Sequence, residues 1–152
     1  MNFPFVTNTD KVEHTEGIGR ELAEALAKDS SLPRFVAMYG DLGVGKTAFV
    51  RGFASELSPN STVRSPTFAL VNEYKCTENT AKIKRICHFD MYRIVDEDDL
   101  YSVGVYDYLR PDSLCIAEWC ELIPYALPKS YIKVEIEKTD LGDGRKITVA
   151  LV

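Results

Sequence analysis

Phe35-Val36-Ala37-Met38-Tyr39-Gly40-Asp41-Leu42-Gly43-Val44-Gly45-Lys46-Thr47 decides how this chain is read. Its second part, Gly40 to Thr47, matches G-x-x-x-x-G-K-[ST] in full. Glycines at 40, 43 and 45 let successive backbone N–H groups turn toward one point, where a polyphosphate can sit. A helix opening at that point adds the positive end of its dipole. The nucleotide-binding candidates are therefore Gly43, Val44, Gly45, Lys46, Thr47 and Ala48. Lys46 is placed to reach the β- and γ-phosphates, and the Thr47 hydroxyl to ligate Mg²⁺. An ordinary glycine-rich turn can carry the same letters, so context decides. Residues 35–39 are a short apolar run, the expected central strand, and Phe49, Val50, Phe53 and Leu57 recur at helical spacing behind the loop.

Composition bounds the rest. The 152 residues suit one domain, 1–152, with 45% apolar and 27% charged residues, as in ordinary globular proteins. A net charge of −5 argues against a protein that grips nucleic acid unaided, since phosphate contacts need clustered Lys and Arg. The cysteines at 76, 87, 115 and 120 form no CxxC pair, and His14 and His88 lie far apart, so a zinc site is not expected. Scattered thiols fit a reducing cytoplasm. The N-terminus has no basic segment followed by an apolar core, and no stretch is apolar enough to span a membrane. A soluble cytoplasmic protein is expected.

Along the chain, Val12, Ile18, Leu22, Ala25 and Leu26 predict an amphipathic helix over 12–28, capped by Asp10 or Thr9. Pro59-Asn60-Ser61 ends the helix behind the glycine loop. Thr67–Tyr74 and Lys84–Phe89 read as strands joined by the polar loop Thr77-Glu78-Asn79-Thr80. Residues 96–110 predict a helix broken near Gly104, with Asp96-Glu97-Asp98-Asp99 as its solvated start. Ser113-Leu114-Cys115-Ile116-Ala117 reads as a buried strand. The alternating runs 131–137 and 146–151 form a hairpin about Gly142-Asp143-Gly144. The fold class is α/β: a P-loop mixed sheet, parallel at its core with antiparallel strands around it, flanked by helices.

A nucleotide-bound Mg²⁺ needs an acid from a second strand besides Thr47. Glu118 follows a continuous apolar run, whereas Asp90 follows Ile86-Cys87-His88-Phe89, which begins among Lys82, Lys84 and Arg85 and reads as more peripheral. Pattern favours Glu118 as the nearer ligand and Asp90 as a water-mediated ligand or base. Ser65-Pro66-Thr67-Phe68 is either a segment that senses the γ-phosphate or a strand entry shaped by Pro66. His88 is either a proton shuttle beside an acid or a structural histidine. Trp119 is either core or an anchor for a partner. Arg93 either neutralises phosphate charge or makes a surface ion pair.

In this order, these pieces resemble the bacterial TsaE family. The likeness rests on Gly40–Thr47 with Phe49 and Arg51-Gly52, and on Ser65-Pro66-Thr67-Phe68 with Leu70-Val71 and Tyr74. It continues through His88-Phe89-Asp90-Met91-Tyr92-Arg93, Gly104 and Glu118-Trp119, covering the chain from about Thr15 to the last hairpin. The resemblance implies a small ATPase that binds ATP and Mg²⁺. It would act with TsaD and TsaB in making threonylcarbamoyladenosine beside the anticodon of tRNA. The acidic balance implies that contact with tRNA is made mainly by those partners, and no membrane is expected to be involved. The resemblance implies Thr47 and Glu118 as Mg²⁺ ligands, Lys46 and Asp90 as residues needed for hydrolysis, and Thr67 in a switch-like segment. It sets Thr15, in Thr15-Glu16-Gly17-Ile18-Gly19, and Arg145 near the nucleotide. Ala48, Met91 and Cys120 depart from the family's usual residues at their positions.

Three other functions compete. A small nucleoside or nucleotide kinase would share the loop, but it usually needs an arginine-rich lid, and Arg110 is the only arginine between Arg93 and Arg145. A GTPase would carry N-K-x-D and D-x-x-G elements, which this sequence lacks. A scaffold that binds nucleotide without hydrolysing it would not need Lys46, Thr47, Asp90 and Glu118 together.

Overall fold

In the computed structural model, which describes residues 1–66, 70–77, 82–140 and 142–152, the chain opens with β1 (Phe5–Thr9), α1 (Val12–Lys28) and β2 (Phe35–Tyr39). It continues through α2 (Lys46–Leu57), β3 (Val71–Lys75), β4 (Arg85–Asp90), α3 (Glu97–Val103) and α4 (Val105–Tyr108). β5 (Ser113–Glu118), two short 3₁₀ turns, β6 (Ile132–Lys138) and β7 (Arg145–Leu151) complete it. The strands form one seven-stranded sheet in the order β1-β7-β6-β2-β5-β4-β3. β2 pairs parallel with β5 and β6, and β4 parallel with β5. β3, β7 and β1 add antiparallel edges. This is the expected α/β class, a parallel core with antiparallel strands about it.

The two-residue period of the strands sorts side chains onto two faces. Val36, Met38, Ile86 and Ile116 pack with Leu22 and Leu26 of α1 and Phe49 and Phe53 of α2. Phe35, Ala37, Phe89 and Ala117 face the other way, into Leu100, Val105 and Ile123. Fully burying one such apolar side chain stabilises the fold by roughly 1.5–3 kcal/mol. α1 and α2 meet at glycines. A Cβ added at Gly52 would lie 1.9 Å from the Glu16 carbonyl oxygen, and one at Gly19 would lie 2.2 Å from that of Phe49.

Three details differ from expectation. Neither Asp10 nor Thr9 caps α1: Lys11 holds the cap position without a side-chain bond, Asp10 pairs with His14 at 2.9 Å, and Thr9 bonds Thr15. β4 is interior rather than peripheral, because the charged residues stop at its first position and everything from Ile86 to Met91 is buried. β1 has no counterpart among the predicted elements. The predicted strand from Thr67 is seen from Val71, and residues 67–69, like 78–80 of the polar loop, lie outside the described residues. The break at Gly104 stands where the sequence put it, with φ +73 between α3 and α4. All the cysteines are free and buried.

Candidate functional site

Because β2, β4 and β5 run parallel, their carboxyl ends share one edge of the sheet, where open α/β sheets hold their ligands. The chain leaves β2 into Gly40, Asp90 ends β4, and Glu118 ends β5. Asp90 and Glu118 are partners in register. By the strand period they share the α2 face with Ile86 and Ile116, so both carboxylates lie on the side of the sheet where α2 begins.

The loop between β2 and α2 uses its glycines as backbone. Gly40, Gly43 and Gly45 have φ of +145, +77 and +111. A Cβ on Gly43 would meet nothing within 4 Å, and one on Gly45 would touch only Thr15 Cγ2 at 3.9 Å. At those two positions conformation, not space, demands glycine, and the left-handed turns leave an open cradle. Val44 is buried, and Arg145 Nε donates to its carbonyl at 2.8 Å, tying β7 to the loop.

Lys46 is the first residue of α2 and is buried. Its ammonium donates to the Gly40 carbonyl and lies 3.4 Å from the Asp41 carbonyl oxygen. It also sits 3.9 Å from the centroid of the Trp119 ring, a cation–π contact. Burial lowers its pKa, while Glu118, Glu121 and Asp90 pull it back up. Trp119 is half-buried with φ +61, and the Tyr92 ring lies 5.1 Å from its own. It packs, partly buried, against the second apolar cluster and roofs the lysine.

Several cavities border the loop among the described residues, and two of them together take in the described candidate residues. One, of about 450 Å³, is lined by Gly43, Gly45, Lys46, Thr47, Asp90 and Glu118, with Leu42, Ser65, Tyr92 and Trp119. The other, of about 360 Å³, is lined by Thr15, Val44, Gly45, Ala48 and Arg145 together with Asp10, Lys11 and Asp143 among others. Every described residue singled out for nucleotide or metal thus falls into one or both cavities, and Gly45 is common to them. Thr67 lies outside the described residues.

The carboxylates are held differently. Glu118 is 4% exposed, and its Oε2 is 2.6 Å from Nε2 of His88, which is fully buried. Asp90 Oδ1 accepts the Tyr92 backbone N–H at 2.9 Å. Burial raises the Asp90 pKa, the Tyr92 N–H opposes this, and the Glu118 charge adds to it. Among the described residues no group of three or more His, Cys, Asp and Glu side chains could cage a metal alone. A Mg²⁺ carried by phosphates needs only one or two protein oxygens, and the Thr47 hydroxyl with a carboxylate supplies that hard donor set.

Tyr92 stands in the run from His88 to Arg93 but drew no role from sequence, although it lies two residues past Asp90, because the strand period stops there. Arg93 is exposed and is not among the described residues lining either cavity. No helix among the described residues is long and apolar enough to cross a membrane.

With this geometry in view, comparison with known proteins points one way. The family described as "Threonylcarbamoyl adenosine biosynthesis protein TsaE" matches residues 9–147. The chain is 38% identical over 130 residues to the tRNA threonylcarbamoyladenosine biosynthesis protein TsaE of Haemophilus influenzae, covering 85% of this chain and 78% of that one. It is 34% identical over 140 residues to the protein of the same name from Bacillus subtilis, covering 92% and 81%. Its fold is similar to the crystal structure of Bacillus subtilis YdiB, with a TM-score of 0.73 and 28% identity over 99% of this chain and 87% of that one.

Proposed function

The chain belongs to the TsaE family, and on that premise we propose that it is a Mg²⁺-dependent ATPase of tRNA threonylcarbamoyladenosine biosynthesis, working with TsaD and TsaB. One observation carries the ATPase reading. A glycine loop, Lys46, Thr47 and carboxylates from two separate strands line a single cavity of about 450 Å³. Nothing about packing requires these groups to converge, and binding a nucleotide–metal complex does.

In this reading the phosphates lie against the backbone of Gly43, Val44 and Gly45, with Lys46 exchanging its carbonyl partner for phosphate oxygens. Thr47 and Glu118 hold the Mg²⁺, which when bound neutralises charge on the β- and γ-phosphates. Asp90 orients the attacking water or takes its proton. Trp119, with the Tyr92 ring beside it, covers Lys46 and restricts water. The second cavity, with Thr15, Ala48 and Arg145, takes the nucleoside end, since it meets the first at Gly45. Thr67 is assigned to the switch-like segment by the family pattern alone. One domain, 1–152, carries all of this in the cytoplasm, where tRNA is met through TsaD and TsaB.

Phosphate release from ATP, measured with and without TsaD and TsaB, tests the reading. Release that rises with the partners is expected. A kinase would instead transfer phosphate to an added nucleoside, and a scaffold would release none under either condition; each result would overturn the proposal.

A further inference from the structure

Behind Glu118 runs a chain of buried polar groups that hydrolysis itself does not require. His88, Tyr74 and Glu118 are 0%, 5% and 4% exposed. His88 Nε2 lies 2.6 Å from Glu118 Oε2, and His88 Nδ1 lies 3.1 Å from the Tyr74 hydroxyl. That hydroxyl is 3.4 Å from the Arg64 backbone nitrogen and 3.3 Å from the Arg64 carbonyl oxygen. Asn72 Nδ2 also donates to this carbonyl, at 3.0 Å. The next residue, Ser65, lines the cleft.

The chemistry gives these contacts a direction. An ionised Glu118 only accepts, so His88 Nε2 carries the hydrogen, and in a neutral ring Nδ1 is then an acceptor. That acceptor needs a donor, and the Tyr74 hydroxyl beside it, nearer to Nδ1 at 3.1 Å than to the Arg64 carbonyl at 3.3 Å, supplies one. The Tyr74 oxygen in turn accepts from Arg64 N–H. Hydrogen bonds thus run one way, from the Arg64 amide through Tyr74 and His88 to Glu118. In a dry interior such a chain is cooperative, and moving one end disturbs the other. The strand period makes it possible: Tyr74 pairs with Ile86 and Asn72 with His88, so Tyr74 is diagonal to His88 on the α2 face.

We propose that His88 and Tyr74 are positioning residues that aim the Glu118 carboxylate and couple it to the backbone at Arg64, and so to the cleft wall at Ser65. With Oε2 taken by His88, Oε1 is left for a cation. The inference rests on Glu118 as a Mg²⁺ ligand and adds the route by which the metal is felt at residues 64 and 65.

The test measures ADP affinity with and without Mg²⁺, and hydrogen exchange at the Arg64 and Ser65 amides, in the full-length protein. Wild type is compared with Tyr74→Phe, Glu118→Gln and the double variant. Outer partners of metal ligands typically matter by roughly 10-fold or more, so Tyr74→Phe should cut the Mg²⁺-dependent gain in ADP affinity about that much. Mg²⁺-free affinity should hold, and the effect should vanish in the Glu118→Gln background. Exchange at Arg64 should quicken in both single variants. His88→Gln, which keeps a donor toward Glu118 but loses Tyr74, should lose about as much of the Mg²⁺ gain as Tyr74→Phe, with Arg64 exchange quickening in the same way. Equal losses with and without Mg²⁺, or a Tyr74→Phe effect that persists beside Glu118→Gln, would overturn the coupling. If Glu118→Gln keeps the full Mg²⁺ gain, the metal assignment falls. Exchange then judges the relay alone: faster Arg64 exchange in Glu118→Gln upholds it, and no change ends it.

Discussion

Asp90 and Glu118 stand opposite each other in register at the carboxyl ends of β4 and β5. Neighbouring strands are roughly 4.8 Å apart, so two buried acids are held side by side. They are fixed by different partners, Glu118 by the His88 ring and Asp90 by the Tyr92 amide. Their surroundings therefore differ, which is what the proposed division of roles around one cation calls for.

That division can be measured. Thr47→Ala and Glu118→Gln are each expected to weaken ADP binding about 10-fold or more with Mg²⁺ present and little without it, since the first removes a hard oxygen ligand and the second replaces a charged carboxylate by a weaker, neutral amide oxygen. Asp90→Asn should keep most Mg²⁺-dependent affinity and lose hydrolysis. Titrating affinity against Mg²⁺ checks all of these. The reverse pattern, with Asp90→Asn losing the metal and Glu118→Gln keeping it, would show the roles exchanged.

Lys46→Ala should leave the melting temperature near that of wild type and lower ATP hydrolysis by about 100-fold or more, the usual loss for a preorganised charge donor at a reacting centre. The lysine sits at the first position of α2, where alanine is well tolerated, and its present partners are a carbonyl and a ring face. Turnover close to wild type would overturn the loop's assignment.

Trp119→Ala should cost less than the roughly 3–5 kcal/mol of a core aromatic truncation, because the ring is half-buried and covers Lys46 and Tyr92 rather than apolar core alone. If the ring also meets a partner, association with TsaD and TsaB should weaken by about 2 kcal/mol or more. Thermal denaturation and a binding assay on the same variant separate the two effects. A full core-sized stability loss with partner binding intact would make Trp119 a packing residue.

Gly52→Ala acts far from the cleft. A methyl group there meets the Glu16 backbone, so α1 and α2 must part, and the destabilisation should reach at least the upper end of the ~1–3 kcal/mol seen for overpacking. Gly17→Ala, on the same helix α1 but with nothing within 4 Å of its Cβ, should be neutral or stabilising by about 1 kcal/mol. Chemical denaturation of the two variants compares them directly.

The glycine loop, its strand and its helix were legible from residues 35–57, because a phosphate cradle needs a fixed local spacing and local spacing is what a sequence displays. The same holds for the break at Gly104 and the last hairpin, where a left-handed glycine and period-two alternation are local facts. Strand order was not legible. Whether β4 lies inside the sheet or at its edge depends on which strand pairs with it. The charges at 82, 84 and 85 misled because they precede the buried part of the strand. His88 shows the same limit: its sequence neighbours are Cys87 and Phe89, yet its hydrogen bonds go to Tyr74 and Glu118, brought to it by strand pairing. Lys46 under Trp119 likewise joins residues distant in sequence. The sequence by itself determined which chemistry is present and on what kind of local backbone. Only the tertiary structure decided which groups face one another, since pairing and burial act between segments that share no local pattern.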